Sequence, residues 1–213
     1  VELKNGMHGI IPRQEIEAIN VDEKGYPKEN LCIGKVHKYV QFKLKEKDGD
    51  KLIFSRKDVQ QEVLNSVKTD LKVGDNIKGI VKNITPYGAF IDIGGGVVGL
   101  AYIEDLSVAR IKTPYERLKI GQNVNIVVKS INRETGKISL SYKDTLGTWE
   151  ENAEKFSVGM NTKGIIRETE KNKNGIFIEL TPNLVGMAEY KEGLKYGAKV
   201  DLYIKKIDYD KKK

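Results

Sequence analysis

Lys78, Lys82, Tyr87 and Phe90 fall within one short span, and between them they supply flat rings for unpaired bases and ammonium groups for phosphates. The residues around them alternate. Ile77 and Val81 interleave with Lys78 and Lys82, and Ala89, Ile91 and Ile93 interleave with Phe90 and Asp92, the period-2 pattern of strands half buried against a core. Phe90 therefore belongs to the face that points away from that core. Two readings of this ring stand side by side: a stacking platform for nucleic-acid bases, or a cover for the open end of a small barrel.

Other residue types that could do chemistry lead nowhere so definite. His8 and His37 are isolated and far in sequence from any candidate nucleophile, which suits structural residues. Asp48, Asp50, Asp208 and Asp210 look like paired carboxylates but sit in turn chemistry, where Asp is favoured for backbone reasons. Gly94-Gly95-Gly96 is followed by a strand pattern and has no Gly-Lys-Ser/Thr tail, so a phosphate loop is not expected. Cys32 is the one cysteine, which excludes an internal disulfide and a multi-cysteine zinc site. No catalytic residue, metal site or cofactor is expected. The net charge is +7, with ten Lys and Arg against six Asp and Glu in residues 71–142 and twelve against eight in residues 156–213. That excess suits an anionic partner. No apolar run approaches the roughly 18 residues that span a bilayer, and no signal peptide is visible, so a soluble, cytoplasmic chain is expected. Opening at Val1 without methionine and closing on three lysines, it reads as part of a longer one.

The elements that would position these residues come in repeated sets. In residues 71–142 two opening strands turn at Gly94–Gly96 into a third, Val97–Tyr102; residues 103–121 read as helical turns and loop; and two more strands follow around Asn132-Arg133-Glu134-Thr135-Gly136. Five strands with helical matter between the third and fourth make an OB-type barrel. Residues 156–213 repeat the pattern, with Lys163-Gly164-Ile165-Ile166 against Lys78-Gly79-Ile80-Val81 and Gly175-Ile176-Phe177-Ile178 against Gly88-Ala89-Phe90-Ile91. Residues 1–57 offer Gly9-Ile10-Ile11, a helical turn after Pro12, a strand pattern from Ile33 to Leu44, a turn at Asp48-Gly49 and a return strand at Leu52-Ile53-Phe54. Residues 58–70 and 143–155 read as linker helices, with Asp58 as cap of the first and Trp149, Ala153 and Phe156 on one side of the second. The expected fold is all-β: tandem five-stranded OB barrels joined by short helices. The first repeat would lack its opening strands and the third its last one.

Residues 71–142 resemble the S1 RNA-binding domain. The resemblance rests on Val73-Gly74, Gly79-Ile80-Val81, Tyr87-Gly88-Ala89-Phe90-Ile91-Asp92, Gly99-Leu100, Leu106-Ser107, Gly121-Gln122-Asn123-Val124 and Ile138-Ser139-Leu140-Ser141. Ile11-Pro12 and the linker with Trp149 and Phe156 resemble the amino-terminal repeat and inter-repeat connections of ribosomal S1-like proteins. The resemblance implies a nucleic-acid face of Tyr87, Phe90, Tyr102, Asn132 and Lys137, of which Phe90 alone is the family's usual residue type. Tyr87 and Tyr102 still offer rings, Lys137 a charge for phosphate and Asn132 a hydrogen-bonding group for a base edge or ribose hydroxyl. In the third repeat Asn174 and Glu189 replace ring positions, leaving Phe177 with Lys163. A non-catalytic protein binding single-stranded RNA, messenger RNA foremost, with the small ribosomal subunit as a partner, is the leading expectation. The alternatives are an accessory RNA-binding part of a larger enzyme or assembly, and a protein-docking adaptor.

Overall fold

The computed structural model describes residues 1–169 and 175–212. Its centre is a closed barrel of five strands, β3 (Asn76–Thr85), β4 (Gly88–Asp92), β5 (Val98–Tyr102), β6 (Asn123–Asn132) and β7 (Lys137–Ser141), joined in the order β3-β4-β5-β7-β6. The sequence's alternation is what closes it. Val81, Ile91, Ala101, Ile126, Val128 and Leu140 are fully buried, one or two from each strand, while their neighbours Lys78, Lys82, Asn125 and Lys137 are exposed. β3 runs antiparallel to β6 from Asn76–Val127 to Ile80–Asn123, and β5 meets β7 in parallel at Leu100–Ser139. Between β5 and β6 lie two 3-10 turns, Ile103–Asp105 and Pro114–Glu116, the second held by a capping box of Thr113 and Glu116. The last strand ends one residue earlier than its pattern suggests: Ser141 is buried, and Tyr142 already has helical backbone angles.

By spatial clustering the chain divides into two compact units, one of Val1–Lys72, Asp92–Gly99 and Ile131–Lys137, the other of Val73–Ile91, Leu100–Ser130 and Ile138–Lys213. In the first unit β1 (Lys43–Asp48) and β2 (Lys51–Ser55) form an antiparallel hairpin, and Ile10 bridges Ile53 in parallel. This is the relation that Leu100 has to Ser139 in the barrel. The expected strand over Ile33–Leu44 begins only at Lys43. Residues 29–33 form a one-turn helix, α1 (Glu29–Ile33), and Ile33, Val36 and Tyr39 are exposed, because no facing strand is there to bury an alternating set. The linker helix is α2 (Lys57–Thr69). Asp58 does not cap it but lies in its first turn, where its own amide donates to the Ser55 hydroxyl at 2.9 Å.

In the second unit the short helix α3 (Trp149–Ala153) starts at a capping box of Thr148 and Glu151, and the Trp149 ring meets Tyr209 edge-on at 5.5 Å. Beyond it β8 (Asn161–Ile166), β9 (Ile176–Thr181), β10 (Leu184–Ala188) and β11 (Lys199–Tyr203) form a sheet in the order β10-β9-β8-β11. The barrel strands β5-β4-β3-β6 stand in that same order; among the described residues the sheet has no counterpart of β7. A buried ionic cluster fastens this sheet to the barrel's 3-10 segment. Glu179 on β9 accepts at 2.6 Å from both Arg117 and Arg167, Arg167 also pairs with Glu116, and the Tyr196 hydroxyl lies 3.0 and 3.1 Å from the Glu116 oxygens. Removing one member would leave its partner's charge buried and unpaired, which is far costlier than losing an exposed pair.

Burial opposes ionisation of Glu116, but the Lys112 amide, the Tyr196 hydroxyl and the Arg167 guanidinium outweigh it and hold the carboxyl below the ordinary glutamate value. A carboxyl whose value is lowered by folding contributes stability that is complete above the unfolded value, 4.5, and is lost as pH falls through the lower folded one. The thermal midpoint followed by circular dichroism is therefore expected to drop as pH goes below that value. Glu116→Gln should lower the midpoint at neutral pH and make the acid-side drop shallower than in the wild type.

Candidate nucleic-acid interface

The corner between β3 and β4 is built so that its rings stand outside the barrel. Thr85 donates to the Gly88 carbonyl at 3.1 Å and Ile103 donates its amide to the Tyr87 carbonyl at 2.9 Å, which pins the corner against the end of β5. Glycine is needed at position 88, since a Cβ there would overlap the Ala101 carbonyl oxygen and stand 3.1 Å from the Tyr102 Cα. The close approach puts Tyr87 and Tyr102 on adjoining backbone. Tyr87 is 52% and Tyr102 43% exposed, Phe90 is half buried, and the Tyr87 and Phe90 rings meet edge-on at 6.1 Å. Lys78 and Lys82 occupy exposed positions of β3.

Lys129, on β6, is committed elsewhere. Its ammonium donates to both oxygens of the fully buried Asp105, at 2.7 and 2.9 Å, and that hydrogen bond raises its pKa. Sequence reading passed over Asp105 because an acidic residue between Glu104 and Leu106 carries no mark of burial.

Asn132 and Lys137 bracket the β6–β7 turn. The Asn132 side-chain oxygen accepts from the amides of Glu134 at 3.1 Å and Thr135 at 2.8 Å, so the turn uses the acceptor half of the amide and only its NH2 is left to address a nucleic acid. Lys137 is exposed at the start of β7. The turn's Arg133, which the sequence did not single out, donates to backbone carbonyls of Lys68 and Leu71 at the end of α2.

In the sheet of the second unit Phe177 is exposed on β9, between buried Ile176 and Ile178. Gly175 holds the corner there as Gly88 does in the barrel, with φ +91° and the Ala188 carbonyl against the place of a Cβ. Three cations on this sheet or just past it have carboxylate neighbours: Lys163 lies 3.9 Å from Asp201, Lys205 3.4 Å from Glu189 and Lys206 3.2 Å from Asp208. Asn174 lies outside the described residues. Pro12 is the residue before a 3-10 turn over Arg13–Glu15, as the sequence leads one to expect. His8 sits in an isolated bridge with Glu2, and among the described residues no group of three His, Cys, Asp or Glu could hold a metal ion.

A closed five-stranded barrel with helical turns between its third and fourth strands is an OB-type fold. Residues 70–143, which contain the barrel, match the S1 RNA binding domain. Over a longer stretch the chain is similar to small ribosomal subunit protein bS1. It is 40% identical over 161 residues to that of Staphylococcus aureus strain MRSA252, covering 72% of this chain and 40% of the relative. It is 28% identical over 227 residues to that of Chlamydia muridarum, covering 100% of this chain and 39% of the relative. The chain thus spans about two fifths of the length of these relatives. Among solved structures, GSP13 from Bacillus subtilis is 32% identical, covering 37% of this chain and 61% of its own, with a TM-score of 0.36.

Urea unfolding would separate a platform from a cover for the open barrel end. Tyr87→Ala and Tyr102→Ala are each expected to shift stability in urea unfolding by only about 0.5 kcal/mol, as surface substitutions do. Ile91→Ala, at a fully buried position, should cost about 2–5 kcal/mol. Tyrosine substitutions as costly as Ile91→Ala would make those rings part of the core.

Proposed function

We propose that this chain is a non-catalytic array of three S1-type repeats, divided at residues 58–70 and 143–155, that binds single-stranded RNA chiefly through its second repeat. The carrying observation is a ring cluster standing outside a barrel whose residues match the S1 RNA binding domain, with Tyr87 and Tyr102 about half exposed and Phe90 edge-on to Tyr87. In this reading Tyr87, Phe90 and Tyr102 stack on bases, Lys78, Lys82 and Lys137 neutralise phosphates, and the Asn132 amide donates to a base edge or a ribose 2′-hydroxyl. Phe177 and Lys163 add a weaker contact, because that sheet offers one ring where the barrel offers three. Messenger RNA is the substrate, the small ribosomal subunit the partner and the cytoplasm the location. The names of the bS1 relatives support that setting, and no helix among the described residues is long and apolar enough to cross a membrane. Residues 1–57 take a structural or protein-contacting role, the latter favoured by exposed Ile33, Val36 and Tyr39.

Fluorescence anisotropy with a labelled single strand and its duplex, over a salt series, tests the proposal. Single strands should bind more tightly, since in a duplex both faces of each base are occupied, and log affinity should fall with log salt at about −0.7 per phosphate contacted. Replacing Tyr87, Phe90 and Tyr102 together by alanine should weaken binding at least about tenfold, given roughly 1–3 kcal/mol per stacked base, and Phe177→Ala should do less than Phe90→Ala. Equal affinity for both nucleic acids at every salt concentration would mean that charge alone holds them.

A further inference from the structure

Within the first unit, α2 is held at both ends by loops that come far later in the chain. At its start Gly95 and Gly96 take φ of +58° and +82°, which suits glycine, and lie against the helix: a Cβ on Gly96 would collide with the Arg56 guanidinium, and one on Gly95 would come 3.1 Å from the Val59 carbonyl. Arg56 is in turn fixed by Glu17 at 3.0 Å and by the Ile16 carbonyl at 2.9 Å. The triple glycine is thus a seat for a helix. At the other end the last carbonyls of α2 have no partners inside the helix. Arg133 reaches two of them from the β6–β7 turn, donating through one nitrogen to Lys68 and, at 3.4 Å, to Val67; its other nitrogen donates at 3.1 Å to Leu71, two residues past the helix. Its positive charge lies at the negative end of the helix dipole. Gly136, in the same turn, lies against Leu64, which a Cβ would touch at 3.7 Å.

We infer that Arg133 is a positioning residue for RNA. By clamping the β6–β7 turn to α2, it holds Asn132 and Lys137, on either side of it, in place to meet the strand. This rests on the RNA-binding reading given above. Arg133 does not itself touch phosphate, because its guanidinium is spent on carbonyls; the linker helix is thereby part of the binding machinery of the repeat that follows it.

Two measurements on the whole chain test this. The first needs no RNA: in Arg133→Ala, amide hydrogen exchange at Glu134, Thr135 and Gly136 should speed up severalfold while exchange in β4 and β7 stays as in the wild type. Unchanged exchange at those three amides overturns the clamp. The second is anisotropy with single-stranded RNA over a salt series. Arg133→Ala should weaken binding about fivefold, the scale of losing one ordinary hydrogen bond, without changing the salt slope. Arg133→Lys should bind as weakly, since lysine has one nitrogen where Arg133 uses two separate ones, held in a planar fork, to reach Lys68 and Leu71. A slope flattened by about 0.7 in Arg133→Ala, or affinity restored by Arg133→Lys, would make Arg133 a direct phosphate contact; unchanged affinity in Arg133→Ala would remove it from binding altogether. A wild type that fails to bind RNA refutes the RNA reading and with it Arg133's part in binding, while the exchange result still decides the clamp.

Discussion

Five strands closed into a barrel leave an interior just wide enough for side chains, here Val81, Ile91, Ala101, Ile126, Val128 and Leu140, and each of these must alternate with a residue that points away. That confinement is the constraint on which the second repeat depends. It fixes which residues of β3 and β4 face outward, and so makes Lys78, Lys82 and Phe90 a surface. It also requires a chain corner tight enough that Gly88 lies against the Ala101 carbonyl, and this close approach sets Tyr87 beside the end of β5. The proposed interface is thus a by-product of closure. No separate scaffold holds the rings.

What lies outside the barrel has buried apolar residues of its own, Ile166, Ile176, Ile178 and Leu184, and polar contacts besides. The sheet of β8 to β11 is fastened through Glu179, Arg117, Arg167 and Glu116, and through the Asn183 amide, which donates to the Lys143 and Gly147 carbonyls at 2.7 and 2.8 Å. Charges so enclosed contribute little net stability but penalise any arrangement that leaves one unpaired. The cluster accordingly specifies one seating of the sheet. The linker helix α2 follows a similar logic in the first unit, with Arg56 and Arg133 at its two ends.

The chain alone determined the barrel, because period-2 alternation between turn signals can be satisfied in few other ways over some 70 residues. The outward direction of Phe90 followed from its neighbours, and the hairpin after Leu44 from Asp48-Gly49. Internal repetition likewise made the sheet of β8 to β11 legible, since Gly175-Ile176-Phe177-Ile178 repeats the residue types that make the corner in the barrel.

Tertiary structure decided what depends on partners distant in sequence. The alternation from Ile33 to Leu44 looks like a strand, yet residues 29–33 form α1 and pairing starts at Lys43, because strand formation needs a facing strand as well as a pattern. Arg133 and Lys129 look like any surface cations. Only the fold shows that one meets carbonyls some 62 to 66 positions earlier and the other a buried Asp105. Nor could Gly94–Gly96 be read in advance as a seat for α2, since a glycine turn looks the same whatever packs on it. Local periodicity is written residue by residue and survives in the sequence; the choice of partner for a charge or a glycine is made by the closed fold, which alone brings the two together.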